Sequence, residues 1–117
     1  MTTDPDCLFC KIVAGDIPAA VVYKNGEVTA FRDINPQMPT HVLIVPNRHI
    51  ANTEALTGAD DALVGTLTRT AQDIARLEGL TERGYRLVIN TGPDALNSVS
   101  HLHVHMLGGR AMGWPPG

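Results

Sequence analysis

Three histidines alternate in the stretch Ser100-His101-Leu102-His103-Val104-His105-Met106. An imidazole titrates close to neutral pH, and it can act as base, nucleophile, hydrogen-bond donor or metal ligand. Alternate side chains of a strand share one face. The spacing therefore predicts a strand over His101–Leu107 with His101, His103 and His105 on one face and Leu102, Val104 and Met106 on the other. Neighbouring imidazoles would stand roughly 6.5–7 Å apart and the outer pair ~13 Å apart. A solubilising row on an edge strand is the plain alternative, but Thr, Ser, Lys or Glu would serve that purpose as well. Two chemical readings stand beside it. His-x-His can supply two ligands to a catalytic zinc, with a third from elsewhere such as His41. Alternatively, one imidazole attacks phosphorus while the others donate to phosphoryl oxygens. An outer pair ~13 Å apart is too wide to share one metal with bonds of ~2.1 Å, so the metal reading uses two of the three.

The second reactive group is Cys7-Leu8-Phe9-Cys10, which holds both cysteines of the chain. A thioredoxin-like redox pair belongs at a helix start after a strand, and no strand signal precedes Cys7. Half of a structural zinc site is the other reading. It needs two more ligands, because structural zinc is four-coordinate. With no further cysteines these must be histidines, and His49 has no other role.

These residues must be positioned by short elements. Cys7–Ala14 predicts a short helix ended by Gly15, with Pro18 beyond it. Ala20–Tyr23 and Val28–Arg32 predict a hairpin, and Asn25-Gly26 suggests a type I′ turn, whose central residues have positive φ. Asp33–Pro39 reads as a loop fixed by two prolines, and His41–Val45 as an apolar strand. Leu63, Leu67, Ala71, Ile74 and Leu77 predict one long helix over about Asp60–Glu78, with Thr57 as cap and Gly79 as stop. Tyr85–Asn90 predicts a strand. Strands around hairpins with one long helix predict an α+β fold with a mainly antiparallel, five-stranded sheet.

Composition narrows the partners. The 117 residues predict one domain, residues 1–117. Nine basic residues against 12 acidic ones give a formal net charge of −3. That balance argues against nucleic acid, where affinity comes from many Lys and Arg contacts. No apolar run approaches the ~20 residues of a membrane span. The acidic start Met1–Asp6 lacks the pattern of a signal peptide, so a cytoplasmic protein is expected.

His101-Leu102-His103-Val104-His105-Met106-Leu107 resembles the signature of the histidine-triad (HIT) family, His-φ-His-φ-His-φ-φ with φ hydrophobic. The likeness extends to Phe31-Arg32-Asp33-Ile34-Asn35-Pro36-Gln37-Met38-Pro39-Thr40-His41, to Pro46-Asn47-Arg48-His49-Ile50 and to Gly108-Gly109-Arg110 with Trp114-Pro115-Pro116-Gly117. Gly108-Gly109 after the triad is similar to the histidine triad nucleotide-binding branch. The resemblance implies a HIT-like fold and nucleotide hydrolysis or transfer through a covalent nucleotidyl-histidine. A purine nucleoside phosphoramidase releasing nucleoside monophosphate fits that branch; a zinc-dependent hydrolase and a nucleotide-binding regulatory module with negligible turnover are the alternatives. It implies His103 as nucleophile, His105 as the group on a phosphate oxygen or bridging atom, and His41 and Ser98 completing the site. It further implies Asp33 as acceptor for the ribose hydroxyls. Ile34, Leu43, Phe9, Ile12 and Ile17 would surround the base, and Asn90, Asn97 and Ser98 neighbour phosphate or ribose.

Triad-like proteins with an N-terminal Cys-x-x-Cys resemble this chain in a further way. They imply His101 as the fourth ligand, with Cys7, Cys10 and His49, of a structural Zn2+. That assignment requires a local twist after Val99-Ser100. The family also implies a homodimer joined at sheet edges, with Trp114 reaching towards the partner's site. Ala111-Met112-Gly113 before Trp114 departs from the bulkier polar residues of the nearest branch members, which bears on the leaving group.

Overall fold

A computed structural model describes residues 3–117; Met1 and Thr2, which begin the acidic N-terminal stretch, lie outside the described residues. Five strands form one antiparallel sheet: β1 (Val21–Lys24), β2 (Val28–Arg32), β3 (Thr40–Pro46), β4 (Tyr85–Val88) and β5 (Val104–Gly108), in the order β1-β2-β3-β5-β4. A short helix α1 (Leu8–Ala14) precedes β1, and a long helix α2 (Asp61–Leu77) lies between β3 and β4. The α+β class, the antiparallel sheet and both helices agree with the expectation.

The central strand β3 explains the layering. Its run Val42-Leu43-Ile44-Val45 is buried on both faces, because each face has its own cover. Val42 and Ile44 join Val28, Ala30, Val104 and Met106 against Leu67, Ala71, Ile74 and Ala75 of α2. Leu43 and Val45 point the other way, to Phe31 and to Phe9, Cys7, Cys10 and Val13 of the α1 segment. The period of two thus sorts one strand into a helix-packed core and a second core that carries the chemistry.

Local signals set the ends. Cys7 caps α1 with its own sulfur, which accepts from the Cys10 N–H at 3.3 Å, and Gly15 closes the helix at φ 83°. Thr57 and Asp60 form a reciprocal capping box at the 3-10 turn leading into α2, and Arg48 pairs with Asp60. Gly109 lies at φ 102°, and a Cβ there would come within 2.7 Å of Pro39. Only glycine fits this approach of the chain after β5 to the Asp33–Pro39 loop.

Several expectations need correction. The β1–β2 hairpin forms, but neither Asn25 nor Gly26 has positive φ, so the turn is not type I′. The Asn25 side-chain oxygen instead accepts from the Glu27 and Val28 N–H groups, closing the turn as a side-chain cap. Leu77 is 79% exposed while Thr70 and Ala75 are buried, so the apolar stripe of α2 ends one turn early. The strand after Gly84 stops at Val88 rather than Asn90, and the triad strand begins only at Val104. Among the described residues, no helix is long and apolar enough to cross a membrane.

Candidate functional site

The late start of β5 sorts the three triad histidines into different surroundings. His101 lies before the strand, fully buried, and turns towards α1. Its Nδ1 is 3.2 Å from Cys7 Sγ and 3.5 Å from Cys10 Sγ, and His49 Nδ1 is also 3.5 Å from Cys10 Sγ. The His101 Nε2–H donates to the Pro46 carbonyl at 2.8 Å, which leaves the Nδ1 lone pair aimed at the thiols. All four ligand atoms lie within 4.8 Å of one another. Tetrahedral zinc with bonds of ~2.0–2.3 Å places its ligand atoms roughly 3.3–3.8 Å apart, so the Cys2His2 donor set fits such an ion. Burial pushes the Cys10 thiol above its ordinary pKa and the His101 imidazole below its own. A bound cation reverses the first preference and uses the neutral imidazole that the second favours.

The expected sidedness holds, with Leu102, Val104 and Met106 in the core under α2 and the imidazoles on the other side, but His101 and His103 precede β5 instead of belonging to it. The chain bends over residues 99–101, where a local twist is expected, and the Leu102 N–H donates to the Ile50 carbonyl at 2.7 Å.

His103 comes next, and its neighbours determine its tautomer. Its Nδ1–H donates to the His101 carbonyl at 2.7 Å, so the neutral ring keeps its lone pair on Nε2. Phe9 meets this ring edge-on with centroids 5.1 Å apart, and meets the His101 ring at 5.9 Å. One aromatic side chain of α1 thus touches both rings.

His105 pairs across the sheet with Leu43 on one side and Val88 on the other. A chain of hydrogen bonds assigns its protons. The Gln37 main-chain N–H donates to His41 Nδ1 at 3.0 Å. The neutral His41 ring therefore carries its proton on Nε2, which lies 2.9 Å from His105 Nδ1 and 3.4 Å from Asp33 Oδ2. With its Nδ1 accepting, His105 carries its own proton on Nε2. Burial lowers the pKa of both rings, that of His105 to about 4, against a smaller upward pull from Asp33. Asp33, His41 and His105 also have metal-like spacing. Both nitrogens of His41 already have hydrogen-bond partners, however, one accepting and one donating, so the trio forms a hydrogen-bonded chain.

His103 and His105 open on a cleft of about 450 Å³ that Phe9, Ile12, Ile17, Asp33, Ile34, Leu43 and Ser98 also line. Ile34 is fully exposed at its mouth. His41, Asn90 and Asn97 do not line this cleft. His41 stands behind His105, so its predicted place in the site is a step removed from it. The amide oxygen of Asn97 is buried without a hydrogen-bond partner. His41 and His101 fall in separate clusters, so they do not converge on one catalytic metal with His103. The sequence reading missed the Gln37 amide and the Pro46 carbonyl, both main-chain groups with no side-chain signature. The two prolines flanking Gln37-Met38 were the available hint of a rigid turn.

Trp114 is 81% exposed and lies under the Arg86 guanidinium at 5.9 Å, while Arg86 also donates to the Gly113 carbonyl at 3.0 Å.

The profile of the HIT domain matches residues 14–112. A 14 kDa zinc-binding protein of Zea mays is 49% identical over 120 residues, covering 97% of this chain and 90% of the maize protein. Adenylylsulfatase HINT1 of Arabidopsis thaliana is 45% identical over 121 residues, covering 98% of this chain and 79% of that protein. The crystal structure of a HIT family hydrolase from Legionella pneumophila superposes with a TM-score of 0.94 at 49% identity, covering 96% of this chain and all of that one.

Proposed function

The chain belongs to the HIT family, and on that premise we propose that it is a nucleotide hydrolase working through a covalent nucleotidyl group on His103, with purine nucleoside phosphoramidates as substrates. The hydrogen bond from His103 Nδ1 to the His101 carbonyl carries this reading. It leaves an unprotonated Nε2 on a ring that lines the cleft, the form an imidazole needs to attack phosphorus.

In the first step His103 Nε2 bonds to the α-phosphorus and the P–N bond to the leaving amine breaks. The amine takes a proton from solvent as it departs, while Ser98 and the His105 Nε2–H stay protonated as hydrogen-bond donors lining the cleft. In the second step water attacks the same phosphorus and loses a proton to solvent, which balances the one taken up by the amine, the P–N bond to His103 breaks, and nucleoside monophosphate leaves. Donors preset for charge growing on phosphoryl oxygens are worth ~2.7–4 kcal/mol each. Asp33 receives the ribose hydroxyls, while Ile34, Leu43 and Phe9 enclose the base. Asn90 and Asn97 lie outside the cleft lining and act on the part of the ligand that extends beyond it.

Cys7, Cys10, His49 and His101 hold Zn2+, which ties α1 to the chain entering β5 and takes no part in the phosphoryl step. The active form is a homodimer. The unpaired edge of β4, with Leu87 and Ile89 exposed, and the outward Trp114 support this.

The Arabidopsis relative's name makes sulfate a second candidate leaving group. Steady-state rates on adenosine 5′-phosphoramidate, adenylyl sulfate and a dinucleotide polyphosphate test the reading. The phosphoramidate is expected to turn over fastest, and equal inertness of all three contradicts an enzymatic role.

A further inference from the structure

We infer that Asp33 does more than hold the sugar: it shares the proton of His41, so that ribose binding strengthens the donor that His105 presents to the phosphate. The inference rests on the reading of Asp33 as ribose acceptor given above and adds a second task for the same carboxylate.

The His41 Nε2–H faces two acceptors, His105 Nδ1 at 2.9 Å and Asp33 Oδ2 at 3.4 Å. The ring cannot turn to favour either, because its Nδ1 is held by the Gln37 N–H at 3.0 Å. Asp33 cannot turn either: its Oδ1 accepts the Asn35 N–H at 2.9 Å, and its main-chain N–H donates to the His41 carbonyl at 3.0 Å. Its side chain keeps 19% exposure and lines the cleft. One carboxylate therefore faces the ligand and the relay at once.

Sugar hydroxyls donating to Asp33 draw charge from Oδ2 and weaken its claim on the His41 proton. That proton then commits to His105 Nδ1. An imidazole that accepts more strongly at one nitrogen donates more strongly from the other, because hydrogen bonds in a chain polarise one another. The His105 Nε2–H becomes the better donor only when the sugar is seated. Burial keeps both rings neutral at neutral pH, as this relay requires; Asp33 and His103 are the other titratable groups facing them. The 2′- and 3′-hydroxyls then contribute to the chemical step as well as to binding, which makes Asp33 a positioning residue for His105.

The test compares single-turnover amine release from adenosine 5′-phosphoramidate and from its 2′,3′-dideoxy analogue, in the wild type and in Asp33→Asn. Asparagine keeps an oxygen for the Asn35 N–H, so the turn is retained. In the wild type the dideoxy substrate is expected to bind more weakly and also to react roughly three- to tenfold more slowly at saturation, the scale of one neutral hydrogen bond. In Asp33→Asn the two substrates are expected to react at equal saturated rates. A hydroxyl effect on binding alone overturns the inference and leaves the ribose reading standing. No hydroxyl effect on either quantity overturns both. A hydroxyl effect on rate that survives in Asp33→Asn also overturns it, since the hydroxyls would then act elsewhere. A second readout needs no variant. Histidine 15N spectra of the wild type should show a stronger His41–His105 coupling across the N–H···N bond with bound adenosine monophosphate than with its dideoxy form. Identical couplings contradict the inference.

Discussion

Two groups of histidines stand on either side of His103, and they differ in what their second nitrogen touches. On one side His101 is fully buried, spends its Nε2 proton on the Pro46 carbonyl and turns Nδ1 to two thiols. On the other, His105 lines an open cleft and accepts at Nδ1 from His41, leaving a proton on Nε2. The first arrangement offers a lone pair, which suits a cation, and the second offers a proton, which suits an anion. Identical side chains four residues apart thus acquire opposite chemistry from a main-chain carbonyl in one case and, through His41, a main-chain amide in the other. His103 lies between them, oriented by the His101 carbonyl and faced by the His105 ring at a centroid distance of 4.9 Å.

The contrast is sharpest at the residue between the clusters. His103→Ala is expected to lower kcat by at least about 10³-fold, since no other group supplies the nucleophile. Nucleotide affinity, read by calorimetry, should change far less. Retained turnover in this variant removes the distinction between His103 and its neighbours. On the open side, His105→Ala deletes one preset donor and should cost roughly 10²–10³-fold in kcat with little effect on the melting midpoint. On the closed side the balance inverts. Cys7→Ala should carry no zinc where the wild type carries about one ion per chain, and should melt roughly 10 °C lower or more. Mass spectrometry and calorimetry read the two quantities. A metal-free native protein of undiminished stability would collapse the two clusters into one kind.

Smaller effects probe the supports. Gly109→Ala places a Cβ against Pro39 at φ 102°. It should destabilise the fold by about 1–3 kcal/mol, measurable by denaturant titration. Acid stability tests the open cluster. Burial holds the His41 and His105 pKa values below the unfolded value, His105 at about 4. Between roughly pH 6.5 and 4 the unfolded chain therefore binds more protons than the folded one. Stability should fall as pH drops through that window, and the His105 contribution should level off below it. His105→Gln should flatten the slope.

How much of this was legible in the sequence differs between the clusters. The period of two in β3 and β5 is a local property, so the strand cores and the face that His105 occupies, opposite Val104 and Met106, could be read from spacing alone. The turn of His101 towards two thiols could not. Its direction depends on Cys7 and Cys10, over ninety residues away, and on a strand that starts three residues late. The side-chain part of the relay was partly legible, since Asp33 and His41 flank the two-proline loop. The tautomers were not, because they depend on the Gln37 amide and the Pro46 and His101 carbonyls, main-chain groups that carry no side-chain signature. Leu77 illustrates a third limit: helical spacing extends the apolar stripe, but burial ends where the sheet no longer lies beneath it.

The account stands or falls on phosphorus becoming bonded to His103 during turnover. Rapid quenching of wild-type protein with adenosine 5′-phosphoramidate, followed by peptide mass spectrometry at neutral to alkaline pH, should find an adenylyl group on the peptide containing His103, on that residue alone, formed and lost at rates no slower than turnover. Accumulating product with no such adduct, or an adduct only on another histidine, contradicts it.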